Sequence, residues 1–178
     1  MKYIALLRGI SPSNSNMRNE KLRDLFEELG FKKVQSIISS GNILFESPAD
    51  AEALEIKIEK AFQERLGFKS STIIRSDEEI KSLIKKDPFK GIKDTPRSRL
   101  NVTFLKNAPD KKHKFPFQPE KRTYKILKML DQSVFSVIDL SGDKTPDLMS
   151  WLEKEFGKEI TTRTWKTVQR ILNKMESS

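Results

Sequence analysis

Residues 161–166 read Thr-Thr-Arg-Thr-Trp-Lys, and their types suit an anion. Arg163 and Lys166 flank the start of an expected helix, where the macrodipole disfavours each cation by about 0.3–1 kcal/mol. Hydroxyls of Thr161, Thr162 and Thr164 gather at the same place, together with the backbone N–H groups that a first helical turn leaves unpaired. A visiting phosphate or carboxylate reconciles these parts. An internal acid, Asp139 or Glu159 paired with Arg163, reconciles them equally. Trp165 falls in step with Val168 and Leu172, the spacing of a buried helix face rather than of a stacking platform.

A second polar stretch, "LLRGISPSNSNMRNEKL" (6–22), runs from an apolar strand through Ser, Pro and Asn into a helix. Arg8 and Arg18 bracket it, and Ser11, Ser13, Asn14 and Ser15 supply hydroxyl and amide groups. Such a strand-loop-helix junction can hold a phosphate. It has neither Gly-x-x-x-x-Gly-Lys-Ser/Thr nor Gly-x-Gly-x-x-Gly, so its backbone cannot wrap an anion as closely as a glycine loop does. Ser and Asn are also the residues of an ordinary turn that caps a helix. The expectation drawn here is non-catalytic binding of a phosphate-bearing small molecule. Its pocket would join Arg8, Ser13 and Asn14 to Arg163, Thr164 and Lys166, with Arg163 as the main charge partner.

Charge offers an alternative partner. The formal net charge is +9. Nearly all of the excess lies between Lys90 and Lys128, with 12 basic against 3 acidic side chains. Weak, sequence-independent nucleic-acid binding through segment 106–128 is therefore allowed, carried by Lys111, Lys112, Lys114, Arg122 and Lys125, with Phe115 and Phe117 nearby. A solvated lysine-rich surface explains the same residues. The aromatic pattern of an RNA-recognition module is absent: "SGNILFES" has Gly41 and Phe45 but no basic lead and no first aromatic.

Other chemistries find little support. The chain has no Cys and one His, which removes disulfides, a thiol nucleophile, thiolate metal sites and His-cluster metal sites. His113 lies in "DKKHKFPF" and reads as an exposed surface histidine with no acidic partner. No Gly-x-Ser-x-Gly, His-Glu-x-x-His or Asp-rich loop occurs, so no catalytic residue, metal or cofactor is assigned. No apolar run approaches the roughly 20 residues of a membrane span. A cytoplasmic location without a membrane partner follows as the default.

The elements that must position these groups follow from periodicity. "KYIALLR" has a strand's composition. Leu22, Leu25, Phe26 and Leu29 make a helical stripe, with Asn16 or Asn19 to cap it and Gly30 to stop it. Two short strands flank the turn "SSGN" (39–42). Ser47, Pro48 and Asp50 open a helix with the stripe Leu54, Ile58, Ala61, Phe62 and Leu66, ending at Gly67. "SSTIIRS" closes a β-α-β-β-α-β unit. Ser76 and Glu79 make a capping box before Ile80, Leu83 and Ile84, and "KDPFKGIKDTPRSR" (86–99) reads as a linker.

The second half repeats the pattern. "LNVTFLK" is a strand, the proline-interrupted stretch that follows is loop, and two strands pair around Asp131 and Gln132. Thr145 and Pro146 open a helix carrying Leu148, Trp151, Leu152 and Phe156. "KEITTRT" is the last strand, before a terminal helix. The fold expected is α+β, two ferredoxin-like βαββαβ units in tandem, 1–90 and 91–178, the second lacking a clear first helix.

Four segments together, "YIALLRGI" (3–10), "GFKKVQSIISSGNILFESP" (30–48), "DPF" (87–89) and "TTRTWKTV" (161–168), resemble the bacterial family called domain of unknown function 1697. The resemblance implies two ferredoxin-like units and no assigned activity. It also implies Asn-Val-Gly-Gly-Lys-Asn after Arg-Gly-Ile, where this chain has "SPSNSN" (11–16), and Asn where it has Thr164. Because the "SSGN" turn belongs to the shared pattern, Ser40 and Asn42 join the candidate ligand-binding residues.

Overall fold

A computed structural model of the chain describes residues 1–38, 41–142 and 147–178. Ser39 and Ser40 of the expected turn, and the expected helix start at Thr145 and Pro146, lie outside these residues. The chain divides into two compact units, residues 1–81 with 169–178, and residues 82–168.

In the first unit the order is β1 (Lys2–Leu7), α1 (Asn19–Glu28), β2 (Lys32–Ser36), β3 (Asn42–Glu46), α2 (Ala51–Ala61) and β4 (Thr72–Ser76). The sheet runs β2-β3-β1-β4, with antiparallel pairs throughout. This is the ferredoxin-like arrangement, in which two split β-α-β units interleave. Alternation along β1 sends Tyr3, Ala5 and Leu7 to the helical side, where they join Phe45, Ile74, Phe26 of α1 and Ile58 of α2. Ring packing sets much of this core, with Phe31 stacked on Phe45 at 4.7 Å and Phe26 edge-on to Phe45 at 5.3 Å. Ile4, Leu6, Leu44 and Ile73, on the other face, are buried as well, which explains why these strands read as almost continuous apolar runs.

The outer edge of β4 is closed by acids from α2. Glu59 Oε1 accepts from the Thr72 N–H and Glu55 Oε1 from the Ile74 N–H, each at 2.8 Å. Their i, i+4 spacing places both carboxylates on one helical face, and they satisfy edge donors that would otherwise invite another strand.

Helix starts differ in detail from the sequence reading. Asp50, not Ser47, caps α2, its carboxylate accepting from the Ala53 N–H; Ser47 instead accepts from the Ala49 N–H two residues on. The α2 stripe continues through a π turn over Phe62–Leu66 before Gly67 stops it at φ 72°. Neither Asn16 nor Asn19 caps α1. Arg18 holds that position without a side-chain cap, while Asn14 caps a short 3-10 turn at Ser15–Met17.

Past β4 the chain enters α3 (Asp77–Lys85), then β5 (Ser98–Leu105), β6 (Tyr124–Leu130), β7 (Ser133–Asp139), α4 (Leu148–Phe156), β8 (Ile160–Thr164) and α5 (Trp165–Ser177). The second sheet runs β6-β7-β5-β8, the same order as the first. Residues 106–123, between β5 and β6, form no helix, since Pro109, Pro116 and Pro119 break any helical ladder there. Phe115 from this coil packs on the cluster of Leu105, Val134, Leu148 and Ile160. The fold is thus two ferredoxin-like units in tandem, the second without its first helix. The stretch read as a linker is anchored, because Phe89 is buried edge-on against Phe135 and Trp165.

Candidate functional site

The candidate residues of the first unit collect at one end of its sheet. As β1 ends, the Leu7 N–H donates to Gly41 O at 2.9 Å and the Arg8 N–H to Ser71 O at 3.0 Å, while the Ser70 hydroxyl donates to Arg8 O. Arg8 is therefore fixed between the starts of β3 and β4. Asn42 is 3% exposed and donates its amide to Ile37 O, so it serves the register of the β2–β3 connection. Ile38, in that connection, takes φ 63°, an unusual conformation for a β-branched residue; its carbonyl accepts from the Asn19 side chain. In the loop after β1, the Ser11 and Ser13 hydroxyls bond each other at 2.7 Å, and Asn14 accepts from the Asn16 N–H. Beyond them α1 opens on Arg18, whose side chain makes no cap hydrogen bond.

The "TTRTWK" residues belong to the second unit, and the residues proposed to form one pocket thus divide between the two units. Arg163 donates from Nη1 to Thr161 Oγ1 at 2.6 Å and to Thr162 O at 3.0 Å. Burial pushes its guanidinium down to about 10. Thr164 accepts from the Thr167 N–H and so caps α5, and Lys166 lies 3.8 Å from Asp94 with its side chain 68% exposed, a surface pair of little energetic weight. The acids considered for Arg163 have other partners: Asp139 accepts from the Ser141 N–H and hydroxyl, and Glu159 from Asn107 while lying near Lys106. Trp165 is a core residue, as its spacing required.

Segment 106–128 contains what sequence reasoning missed. Lys111, Lys112, Lys114, Arg122 and Lys125 are all exposed, with Arg122 paired to Asp147 at 3.1 Å. His113 is not a surface histidine. Its side chain is 12% exposed, its ring lies 4.8 Å from that of Phe156, and Nε2 sits 3.2 Å from Glu155 Oε2. A pocket of about 300 Å³ opens here, with His113, Glu155, Phe117 and Trp151 in its wall and Lys112 and Lys114 at its margin. Arg122 and Lys125 line a second pocket of similar size with Tyr124 and Asp139. The spacing of Trp151 and Glu155, four apart on α4, puts them on one helix face and was legible. The partnership of Glu155 with a residue 42 positions earlier was not.

Comparison with known proteins adds the lineage. The model of the family described as "Protein of unknown function (DUF1697)" matches residues 1–135. The chain belongs to this family. The DUF1697 match takes in the loop after β1, the "SSGN" turn and the basic segment, and it ends before "TTRTWKTV". The solved structure of a conserved bacterial protein, SP0830 from Streptococcus pneumoniae, superposes with a TM-score of 0.74 at 23% identity, covering 98% of each chain; that likeness concerns the fold. A comparison with curated proteins returns no match. Among the described residues no helix is long and apolar enough to cross a membrane.

Proposed function

We propose that this DUF1697 protein binds a phosphate-bearing small molecule in the cytoplasm without transforming it, at the sheet end of the first unit. One observation carries the reading: α1, ten residues long, opens on Arg18 without a side-chain cap. Its first-turn N–H groups and positive dipole end directly follow a loop of serines and asparagines, with Arg8 and Arg18 at the two ends of that loop. Ser13 and Asn14 shape the loop through their bonds to Ser11 and Asn16. Arg163, Thr164 and Lys166 have protein partners in the second unit, so the reading rests on the first unit alone.

Arg18→Asp tests it. The backbone at residue 18 is extended, φ −68° and ψ 148°, as an N-cap requires, so an Asp carboxylate would cap α1 and contribute about 1 kcal/mol. The same carboxylate would occupy the anion's place. Amide shifts of residues 8–20 on adding inorganic phosphate or a sugar phosphate should saturate in the native chain and vanish in Arg18→Asp, while Tm rises by about 2–4 °C. Shifts that persist in the variant, or never occur in the native chain, would overturn the reading. A second reading, weak sequence-independent nucleic-acid binding, is favoured by the exposure of every named cation in segment 106–128.

A further inference from the structure

We propose that the pocket beside His113 holds one nucleotide, free or as a unit of a single strand, with its base stacked on Phe117. The inference deepens the nucleic-acid reading and rests on it for the class of ligand.

Phe117 is an exposed ring on a fixed support. It is 39% exposed, yet its backbone makes two hydrogen bonds with Ile126, at 2.8 Å and 2.7 Å. Its ring lies nearly parallel to Trp151, with centroids 5.4 Å apart and 28° between planes. One face of Phe117 is thus backed by an indole while the side chain remains open to solvent. An immobilised aromatic stacks a base without first losing rotamer freedom, and stacking of this kind contributes about 1–3 kcal/mol per base.

Polar groups define which ring fits. Glu155 is half-buried, and its Oε2 meets His113 Nε2. That contact places the ring proton on Nε2 and leaves His113 Nδ1 as an acceptor when the imidazole is neutral. Nδ1 is buried and has no hydrogen-bond partner among the described residues. The pocket wall therefore offers the Glu155 carboxylate as an acceptor, and its natural complement is a planar ring with N–H donors. Lys112 and Lys114, exposed on either side of His113, supply charge for an anionic group attached to that ring. A nucleotide carries the ring, the N–H edge and the phosphate together. Inorganic phosphate lacks the ring, and an aromatic carboxylate without N–H groups would set its charge against Glu155.

The two tryptophans make the test direct, since Trp165 is buried in the core and reports on folding while Trp151 lines the pocket. Nucleoside monophosphates of all four bases, inorganic phosphate and a short single-stranded oligonucleotide are titrated into the full chain, following both indole N–H resonances. The expected result is a saturable shift of Trp151 with nucleoside monophosphates and none with inorganic phosphate. Phe117→Ala and Glu155→Gln should each weaken it at least about fivefold, with the Trp165 resonance in place. No shift with monophosphates at millimolar concentration, or undiminished binding in both variants, overturns the proposal. Oligonucleotide binding that is lost steeply with salt but survives Phe117→Ala would leave the nucleic-acid reading standing without the pocket. If no nucleic-acid ligand binds at all, both fail together.

Discussion

Two strand-to-helix junctions, β4 into α3 and β8 into α5, are assembled to one plan and differ most tellingly in the third residue after the strand, Glu79 in one and Thr167 in the other. Each strand ends in an arginine followed by a hydroxyl residue, Arg75–Ser76 and Arg163–Thr164. Each arginine donates from Nη1 to the carbonyl just before it, Ile74 O at 2.9 Å and Thr162 O at 3.0 Å. They occupy equivalent places in register, Arg75 opposite Ile4 of the first strand and Arg163 opposite Val102 of the fifth. In both, the hydroxyl accepts from the N–H three residues on. At the first junction that third residue is Glu79, whose carboxylate returns a bond to the Ser76 N–H at 2.7 Å. At the second it is Thr167, whose hydroxyl bonds Thr164 Oγ1 at 3.0 Å. Burial lowers both guanidinium pKa values, but at the first junction Glu79 and Glu55 pull Arg75 back up. A shared frame thus carries different electrostatics, which shows that the "TTRTWK" hydroxyls and arginine have a structural use that the first unit also has.

The comparison is broken most severely at Arg75. Glu55 is 7% exposed, and Arg75→Ala would leave its carboxylate buried with less opposing charge. The expected loss is about 3 kcal/mol, read as a lower midpoint in chemical denaturation of the full chain. An effect below 1 kcal/mol would mean that the acids do not depend on Arg75. Arg163→Ala comes next, at about 1–2 kcal/mol. Thr161 Oγ1 and Thr162 O lose a donor, while the burial that pushes Arg163 down to about 10 is relieved and offsets part of the loss. If Arg163→Ala costs more than Arg75→Ala, the ranking by electrostatic surroundings is wrong.

Much of this was legible from local chemistry and little of it from long-range chemistry. The Ser76–Glu79 capping box can be read from four adjacent residues and is present in both directions. The β6–β7 turn, at Asp131 and Gln132, has both residues at positive φ, as a two-residue hairpin demands. The missing helix of the second unit is written in Pro109, Pro116 and Pro119. Choosing among adjacent caps was harder, because Ser47 and Asp50 are both good N-caps, and each side chain does accept from a nearby N–H, Ser47 from Ala49 and Asp50 from Ala53. His113 was misread because its lysine neighbours announce an exposed loop, whereas its environment is made by Phe156 and Glu155 on α4. The uncapped start of α1 was equally hidden, since the side chains of Asn16 and Asn19 are drawn to distant carbonyls, those of Leu66 and Ile38.

The sharpest use of the comparison is to convert one junction into the other. Thr167→Glu gives the second junction the acid that the first has in Glu79. Its carboxylate should reach back to the Thr164 N–H as Glu79 does to Ser76, completing a capping box, and it adds a negative charge in the first turn of α5, where the dipole favours one. The expected gain is small, about 0.5–1 kcal/mol. Its more telling effect is on Arg163. A carboxylate one turn into the helix should raise the guanidinium from about 10 toward its ordinary value, as Glu79 does for Arg75, visible in the pH titration of the Arg163 side-chain resonance. An unchanged titration would show that the new carboxylate points to solvent. Lowered stability would show that the Thr164–Thr167 hydroxyl pair holds the α5 start better than a capping box can.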